Sequence, residues 1–165
     1  MDLSGSTALV TGANRGLGAA LARALLERGA TVYGGARDPD TITIDGVVPV
    51  RLDITSPTDV AAAAEALGDV TLLVNNAGIS TGTAALAEDA LDGARREFET
   101  NVFGPLAVTR AFAPVLAANG GGAVLNVLSV LSWFSLPGSA MYGAAKAASW
   151  SRTDARSRAS IASTI

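Results

Sequence analysis

Short apolar runs alternate along the chain with longer stretches in which apolar residues recur at helical spacing. Runs of this length, rich in β-branched residues and bounded by Gly, Asn or Asp, are typical of buried strands. The predicted strands cover residues 7–11, 30–36, 47–52, 70–75 and 123–129. The predicted helices cover residues 17–28, 59–67, 86–101, 105–118 and 139–151. This βαβ alternation predicts an α/β fold with a parallel sheet and helices on both of its faces.

Composition narrows the classes of function. A chain of 165 residues with 49% hydrophobic content is long enough to bury one sizeable core. The net charge of −3, with the arginines scattered, gives no basic stripe, so no nucleic-acid partner is expected. The chain has no Cys and no His, which removes disulfides, thiolate nucleophiles and nearly all transition-metal sites, and no metal is expected. An acid or base must therefore be Tyr, Lys or a carboxylate.

The sequence also bears on location. The N-terminal residues lack the charged and apolar regions of a signal peptide, and no run approaches the ~18 uninterrupted apolar residues that a membrane span needs. These features predict a soluble, cytoplasmic protein with no membrane partner.

The stretch "TGANRGLG" joins the first predicted strand to the first predicted helix and spaces Gly12, Gly16 and Gly18 as G-x-x-x-G-x-G. Glycines in such a turn let the backbone approach a pyrophosphate, whose charge is met by the N–H groups that begin the helix. The turn predicts nucleotide binding. A glycine-rich turn needed only to pack the strand against the helix is the alternative, and it stays open.

The second predicted strand ends at "GARDP", where the acidic residue that would accept hydrogen bonds from a ribose 2′-OH is missing. Arg37 stands there instead, and an arginine can bind a 2′-phosphate with paired hydrogen bonds. Arg15 in the glycine turn adds a second positive charge. NADP(H) is therefore favoured over NAD(H), although either arginine taken singly could be a solvated surface residue.

Polar residues follow the third and fourth predicted strands: Asp53 in "LDIT", and residues 75–78 in "NNAG". Ligands bind at the carboxyl ends of the strands in open α/β sheets, so these residues are candidates for a cofactor site. Asp, Asn and Gly are also ordinary turn residues, and a purely structural role stays open.

The run "YGAAK" contains the only lysine of the chain. On a helix, Tyr142 and Lys146 lie four residues apart on one face. A phenol ordinarily ionises with a pKa of about 10, and a neighbouring cation favours the phenolate, so the pair could donate a proton without histidine. The alternative is an amphipathic helix with an incidental Tyr and Lys. Ser129, at the end of the fifth predicted strand, could hydrogen-bond a substrate carbonyl, or could simply be a turn residue.

With "TGANRGLG", "NNAG", the Asn of "ETNVFGP", Ser129 and "YGAAK" in this order, the chain resembles the short-chain dehydrogenase/reductase family from about residue 7 to about residue 151. The resemblance implies a doubly wound, Rossmann-type sheet and an enzyme that transfers hydride between NAD(P)(H) and an alcohol or carbonyl carbon. It implies that Tyr142 is the general acid/base, that Lys146 assists it and holds the nicotinamide ribose, that Ser129 polarises the carbonyl, and that Asn101 positions a relay water. The residues implied to bind the cofactor, besides Tyr142 and Lys146, are Gly12, Asn14, Arg15, Gly16, Leu17, Gly18, Arg37, Asp53, Ile54, Asn76, Ala77 and Gly78.

The chain also departs from the family. The family often has serine at the positions of Leu128 and Ala145, and it continues past the Tyr-Lys helix into two further strands, whereas this sequence ends at Ile165. We therefore expect a nucleotide-binding domain over residues 1–151 and a divergent tail over residues 152–165. Without the two strands, the fifth strand would be an exposed edge, and we expect an oligomeric or aggregation-prone chain with little turnover. A nucleotide-binding chain impaired in catalysis and a non-enzymatic NADP-sensing module of the same fold are the alternatives; a sensing module would be expected to lack one or more of Asn101, Ser129, Tyr142 and Lys146, and all four are present.

The substrate is expected to be a small carbonyl or alcohol compound, and the family resemblance implies a homo-oligomer. Trp133 and Phe134 follow the catalytic strand and suggest an apolar substrate, or else they cover the end of the sheet.

Overall fold

A computed structural model describes the backbone of residues 3–162 and the side chains of residues 3–154. Its sheet has five strands: β1 (Thr7–Thr11), β2 (Thr31–Ala36), β3 (Val47–Arg51), β4 (Leu72–Asn75) and β5 (Ala123–Asn126). All five are parallel, and their order across the sheet is β3-β2-β1-β4-β5. The chain order reverses between β1 and β4, as in a doubly wound fold. The predicted fold class is therefore confirmed.

Five α-helices lie in the described residues: α1 (Gly16–Leu26), α2 (Pro57–Ala66), α3 (Ala90–Phe98), α4 (Gly104–Ala118) and α5 (Ala140–Ala162). A π-turn, Glu99–Phe103, joins α3 to α4, and short 3-10 turns cover Pro39–Thr41 and Val130–Ser132. The third helix begins at Ala90, four residues later than predicted. Leu86, the predicted first residue, is 99% exposed, so its apolar side chain does not belong to a buried helix face. The fifth helix continues eleven residues beyond the predicted end at residue 151. Its sequence there has neither Gly nor Pro, and its Ala and Arg residues favour helix.

The structure divides into two compact units. The first comprises the chain up to Ala77 together with Gly104–Val127, and the second comprises Gly78–Phe103 together with the chain from Leu128. Neither unit begins or ends at residue 152, and the separate tail from that residue stays a prediction.

The first unit contains the whole sheet and buries an apolar cluster on each of its faces. Because successive side chains of a strand point to opposite faces, Ala8 and Val10 of β1 lie in one cluster and Leu9 lies in the other. The first cluster packs beneath α1, which supplies Ala22 and Leu25. The second packs beneath α2 and α4. Burial on both faces holds the carboxyl ends of the strands in fixed positions, where the candidate site residues of this unit lie.

The second unit is helical. The long helix α5 packs against α3, the π-turn and the 3-10 turn Val130–Ser132. The rings of Trp133 and Trp150 meet edge to face, with centroids 6.2 Å apart. Two chain segments, residues 90–103 and 130–132, are thereby fixed against α5.

One continuous helical stretch within residues 3–162, Ala90–Ala118, is long and apolar enough by length and composition alone to cross a membrane. A core helix of a soluble protein passes the same test. In α4 the residues Val108, Phe112 and Leu116 are buried in the second apolar cluster, which accounts for the apolar character of that part. The cytoplasmic location remains a prediction.

Candidate active site

The glycine turn connects β1 to α1 and requires two glycines for its backbone. Gly12 has φ +66° and Gly16 has φ +56°, a region that residues with a Cβ rarely adopt. The N-cap of α1 is Arg15, whose side chain makes no capping hydrogen bond, and the first turn of the helix contains no acidic residue. A Cβ on Gly16 would meet no atom within 4 Å. The start of α1 is therefore open and has the polarity to receive an anion.

The "NNAG" segment is fastened to this turn by hydrogen bonds. The Nδ2 of Asn76 donates to the backbone oxygens of Thr11 at 2.8 Å and Gly12 at 3.2 Å. The hydroxyl oxygen of Thr11 accepts from the backbone N–H groups of Asn76 and Ala77, each at 3.0 Å. Sequence reasoning did not identify Thr11 as a site residue, because a threonine that ends a strand gives no signal of its partners.

Gly18 makes the closest approach in the turn. A Cβ at this position would overlap the backbone oxygen of Gly12 and the Nδ2 of Asn76. The side chain of neighbouring Leu17 is more than half exposed, and Asn14 is partly buried. The glycine spacing thus serves a close contact between α1 and the strand ends, in agreement with one reason for glycine in dinucleotide-binding turns.

A second group of polar residues lies where β2 and β3 end. Ala36 is the register partner of Arg51, and the Arg51 guanidinium donates to the backbone oxygen of Arg37 at 3.3 Å and lies 3.5 Å from an Asp59 oxygen. Sequence reasoning missed Arg51, because its strand partner could not be read from the sequence. Arg51 therefore joins Arg37 at this edge, in addition to the predicted Arg15 of the glycine turn.

The Asp53 carboxylate accepts hydrogen bonds from the Thr55 N–H at 2.9 Å and the Thr55 hydroxyl at 2.7 Å. Desolvation by itself raises the pKa of Asp53, but these hydrogen bonds and the charges of Arg37 and Arg51 together hold that pKa below its ordinary value. Asp53 is thus an anion that orders its own turn. Ile54 is buried in the second apolar cluster, so its side chain is committed to packing.

Asn75, the first residue of "NNAG", has a structural position. Its side chain is buried at the end of β4, and its Nδ2 donates to Asn126 Oδ1 on β5 at 2.9 Å and to the Thr109 hydroxyl on α4 at 3.0 Å. The amide joins three elements beneath the carboxyl edge of the sheet.

All four predicted catalytic residues belong to the second unit. Asn101 lies in the π-turn and is buried. Its side chain makes a pair of hydrogen bonds with the backbone of Ile79: the Ile79 N–H donates to Oδ1 at 3.1 Å, and Nδ2 donates to the Ile79 oxygen at 2.8 Å. The buried Ser149 hydroxyl of α5 donates to the backbone oxygen of Asn101 at 2.6 Å. Sequence reasoning did not identify Ser149.

Tyr142 and Lys146 lie one turn apart on α5, as their spacing predicts. The Lys146 Nζ is 5.7 Å from the centroid of the Tyr142 ring, within the range of a cation–π contact. Lys146 is only 6% exposed. Burial lowers the pKa of its ammonium, because the protein interior solvates a charge less well than water does.

Ser129 is the N-cap of the 3-10 turn Val130–Ser132, and its Oγ accepts from the Leu131 N–H at 3.1 Å. This bond uses the serine oxygen as an acceptor, so the hydroxyl hydrogen can still be donated. The turn packs against α5, and a Cβ on Gly143 would lie 3.2 Å from the backbone oxygen of Leu131. Gly143 therefore allows the turn after Ser129 to approach the helix beside Tyr142.

The doubly wound sheet with a glycine turn at the start of α1 defines a dinucleotide-binding protein of the Rossmann type. The sequence profile of the family described as short chain dehydrogenase matches residues 6–160. The chain therefore belongs to the short-chain dehydrogenase family, a family of oxidoreductases, and the predicted resemblance is confirmed.

Individual relatives agree with this assignment. A crystal structure of a short chain dehydrogenase from Burkholderia cenocepacia J2315 in complex with NADP is 47% identical, with a TM-score of 0.91, and the alignment covers 98% of this chain and 69% of that chain. A 3-ketoacyl-(acyl-carrier-protein) reductase from Brucella melitensis complexed with NADH is 34% identical, with a TM-score of 0.84, and 93% and 69% are covered. A protein named NADP-dependent 3-hydroxy acid dehydrogenase from Schizosaccharomyces pombe is 30% identical over 88% of this chain and 62% of its own length. The chain spans 54% to 63% of the first curated relatives that it matches.

Proposed function

We propose that the protein is an NADP(H)-dependent oxidoreductase that interconverts a carbonyl compound and a secondary alcohol. The observation that carries the proposal is the Tyr142–Lys146 pair. A buried lysine lies one helical turn from a tyrosine, and its Nζ is 5.7 Å from the tyrosine ring. In a chain with no histidine and no cysteine, this pair is a suitable source of a proton.

The first unit fits a dinucleotide. The uncapped start of α1 and the glycine turn would receive the pyrophosphate. Asp53 would lie near the adenine, and Asn76 and Ala77 would lie along the adenosine ribose. When bound, the nicotinamide supplies or accepts the hydride at the substrate carbon. Among the described residues no group of three or more His, Cys, Asp or Glu side chains could hold a metal ion.

The chemistry of the second unit follows from its side chains. In the direction of reduction, Ser129 donates a hydrogen bond to the carbonyl oxygen, and Tyr142 donates its proton to that oxygen as negative charge develops. Lys146 would place a positive charge near the phenol ring and would hold the nicotinamide ribose. Asn101 is fixed by Ile79 and Ser149, so that it can position a relay water toward Lys146.

The preference for NADP(H) over NAD(H) is part of the proposal. Arg37 follows β2 and Arg51 ends the neighbouring β3, where the Arg51 guanidinium donates to the Arg37 backbone oxygen. A 2′-phosphate would gain charge-assisted hydrogen bonds from guanidinium groups at this edge. The relatives include one complex with NADP and one with NADH, so they do not distinguish the two cofactors. The proposed preference therefore rests on the arginines.

For the substrate we propose a small apolar carbonyl compound, because Trp133 and Phe134 are exposed on the segment that follows Ser129. We also propose that the protein works as a homo-oligomer in the cytoplasm.

The test combines binding with turnover. We expect fluorescence titration to give a lower Kd for NADPH than for NADH. We expect the purified chain to oxidise NADPH with a panel of ketones only slowly, in line with the little turnover expected from the sequence. Tyr142→Phe is the matched variant, and it should bind NADPH almost unchanged while turnover falls by ~10² or more. Equal turnover in the Phe variant would remove Tyr142 from the mechanism. NADPH binding without any turnover would reduce the function of this chain to cofactor binding.

A further inference from the structure

One face of α3 and the π-turn receives the chain segment that follows Gly78. Three residues of this face, spaced four apart, meet three alternate residues of the segment. Asn101 bonds to Ile79, Glu97 bonds to Thr81, and Gly93 lies against Thr83. We call residues 79–83 the docked segment.

The two spacings match physically. Four helical residues rise about 6 Å, and two residues of an extended chain advance about 6.6 Å. Every second residue of the docked segment can therefore meet every fourth residue of the helical face. The segment and the helix run in opposite directions.

Glu97 is the central contact. It is only 2% exposed, and its Oε1 accepts hydrogen bonds from the Thr81 N–H at 2.7 Å and from the Thr81 hydroxyl at 2.9 Å. The Thr81 hydroxyl oxygen in turn accepts from the Thr83 N–H at 3.3 Å. Burying a carboxylate is unfavourable unless hydrogen bonds compensate. Two of the compensating bonds come from the docked segment, so the position of this segment and the burial of Glu97 depend on each other.

Gly93 makes the third contact possible. A Cβ at this position would lie 2.8 Å from the Thr83 hydroxyl oxygen, 3.0 Å from Thr83 Cβ and 3.2 Å from the Thr81 hydroxyl oxygen. Gly93 lies inside α3, where glycine is less favourable than alanine. The helix therefore gives up stability at the position where the docked segment needs space.

We propose that Glu97 is a positioning residue that, with Gly93, fixes the docked segment for binding of the nicotinamide half of the cofactor. The inference rests on the proposed function. The docked segment begins directly after Gly78, and the helical face that holds it ends at Asn101. Glu97 itself touches neither cofactor nor substrate in this proposal. It acts through Thr81.

The experiment compares two ligands by titration: NADPH, and adenosine 2′,5′-bisphosphate, which lacks the nicotinamide half. Glu97→Leu should weaken NADPH binding by about 10-fold or more, because a hydrogen-bonded pair to a buried carboxylate is lost. Binding of adenosine 2′,5′-bisphosphate should change by less than about 2-fold, since its site lies in the first unit. Glu97→Gln keeps an oxygen acceptor and should recover most of the NADPH affinity. The matched control is Asp92→Asn, an exposed carboxylate on the same helix, which should change neither ligand.

Gly93→Ala separates positioning from helix stability. Alanine favours the helix more than glycine does, yet its methyl group would displace Thr83. We expect it to weaken NADPH binding selectively, as Glu97→Leu does, although the two changes have different effects on α3 itself. Thr81→Val removes both bonds of the hydroxyl, to Glu97 and from the Thr83 N–H, but keeps the backbone bond from the Thr81 N–H to Glu97. It should therefore weaken NADPH binding less than Glu97→Leu.

The outcomes are distinguishable. Failure of the unmutated chain to bind adenosine 2′,5′-bisphosphate contradicts the proposed function. If that ligand binds, but Gly93→Ala and Thr81→Val leave the ratio of the two affinities unchanged, the positioning role of Glu97 is wrong, even if Glu97→Leu fails to fold. Equal weakening of both ligands by Glu97→Leu assigns Glu97 a general structural role and also overturns the proposal.

Discussion

An alanine at position 18 tests the close contact on which the glycine turn depends. The added methyl group would overlap the backbone oxygen of Gly12 and the Nδ2 of Asn76. The carbonyl belongs to a turn held by backbone bonds to β2, since the N–H groups of Gly12 and Ala13 both donate to Gly35. The strain must therefore be relieved by moving Asn76 or by shifting α1 away from the sheet.

The magnitude follows from these contacts. Displacing Asn76 breaks its bonds to Thr11 and Gly12, at about 1 kcal/mol each. Overpacking adds about 1–3 kcal/mol, and the better helix propensity of alanine returns about 1 kcal/mol. The net loss is about 2–4 kcal/mol of unfolding free energy. For a chain of this length, about 3 °C of Tm accompanies each kcal/mol, so the Tm should fall by about 6–12 °C.

Two further glycines serve as controls in thermal unfolding followed by circular dichroism. A Cβ on Gly68 meets no atom within 4 Å, and its backbone has no positive φ, so Gly68→Ala should leave the Tm unchanged. Gly16 has the same free space but φ +56°, so Gly16→Ala should lose only the backbone term of about 1–2 kcal/mol. A Gly18→Ala variant within about 2 °C of Gly68→Ala would refute the reasoning.

Three other predictions use the remaining site residues. Arg37→Asp should reverse the ratio of NADPH to NADH affinity, because a carboxylate accepts from a ribose hydroxyl and repels a phosphate; an unchanged ratio would contradict this, and Arg37→Ala separates lost attraction from added repulsion. The folded pKa of Lys146 lies below the ordinary 10.5, so the unfolded chain binds more protons between the two values and unfolding free energy rises with pH there. Lys146→Met should flatten that rise in urea unfolding, and parallel curves for both chains would contradict it. Ser149→Ala leaves the buried backbone oxygen of Asn101 without its donor and should lower the unfolding free energy in urea by about 1–3 kcal/mol. Exposed Ser151→Ala on the same helix should leave it unchanged, and equal unfolding free energies for the two variants would show that the Ser149 bond does not stabilise the fold.

Elements that bury an uninterrupted apolar run were predictable from the sequence. Strand β1 has the predicted ends, Thr7 and Thr11, because its apolar run stops at a glycine that must adopt positive φ. The placement of polar residues at the carboxyl ends of the strands also followed, since a parallel sheet aligns those ends. Strand β5 ends three residues earlier than predicted, at Asn126, although the N–H of Val127 still donates to the Asn75 oxygen at 2.9 Å.

The side-chain partners were not predictable, because they depend on register and tertiary approach. Arg51 reads as an ordinary charged strand residue until its pairing opposite Ala36 is known. Thr11 and Asn75 end apolar strands and give no sign that their side chains tie one strand end to the next. Local sequence specifies which residues are polar, whereas the sheet order decides which polar residues meet.

The segment that contains Glu97 and Asn101 shows where prediction from helical periodicity fails. Periodicity predicted one regular helix over residues 86–101, but the chain forms α3 over Ala90–Phe98 and then the π-turn. A π-turn widens the helix by a residue and is often found at functional sites. On this face the buried residues are Gly93, Glu97 and Asn101, none of them a large apolar residue, so a search for an apolar stripe passes over it. Their common feature is that each receives the docked segment. Small or polar residues at four-residue spacing are therefore the pattern of a helix face that binds an extended backbone segment. This pattern can be recognised only when the segment and the helix are seen together in the structure.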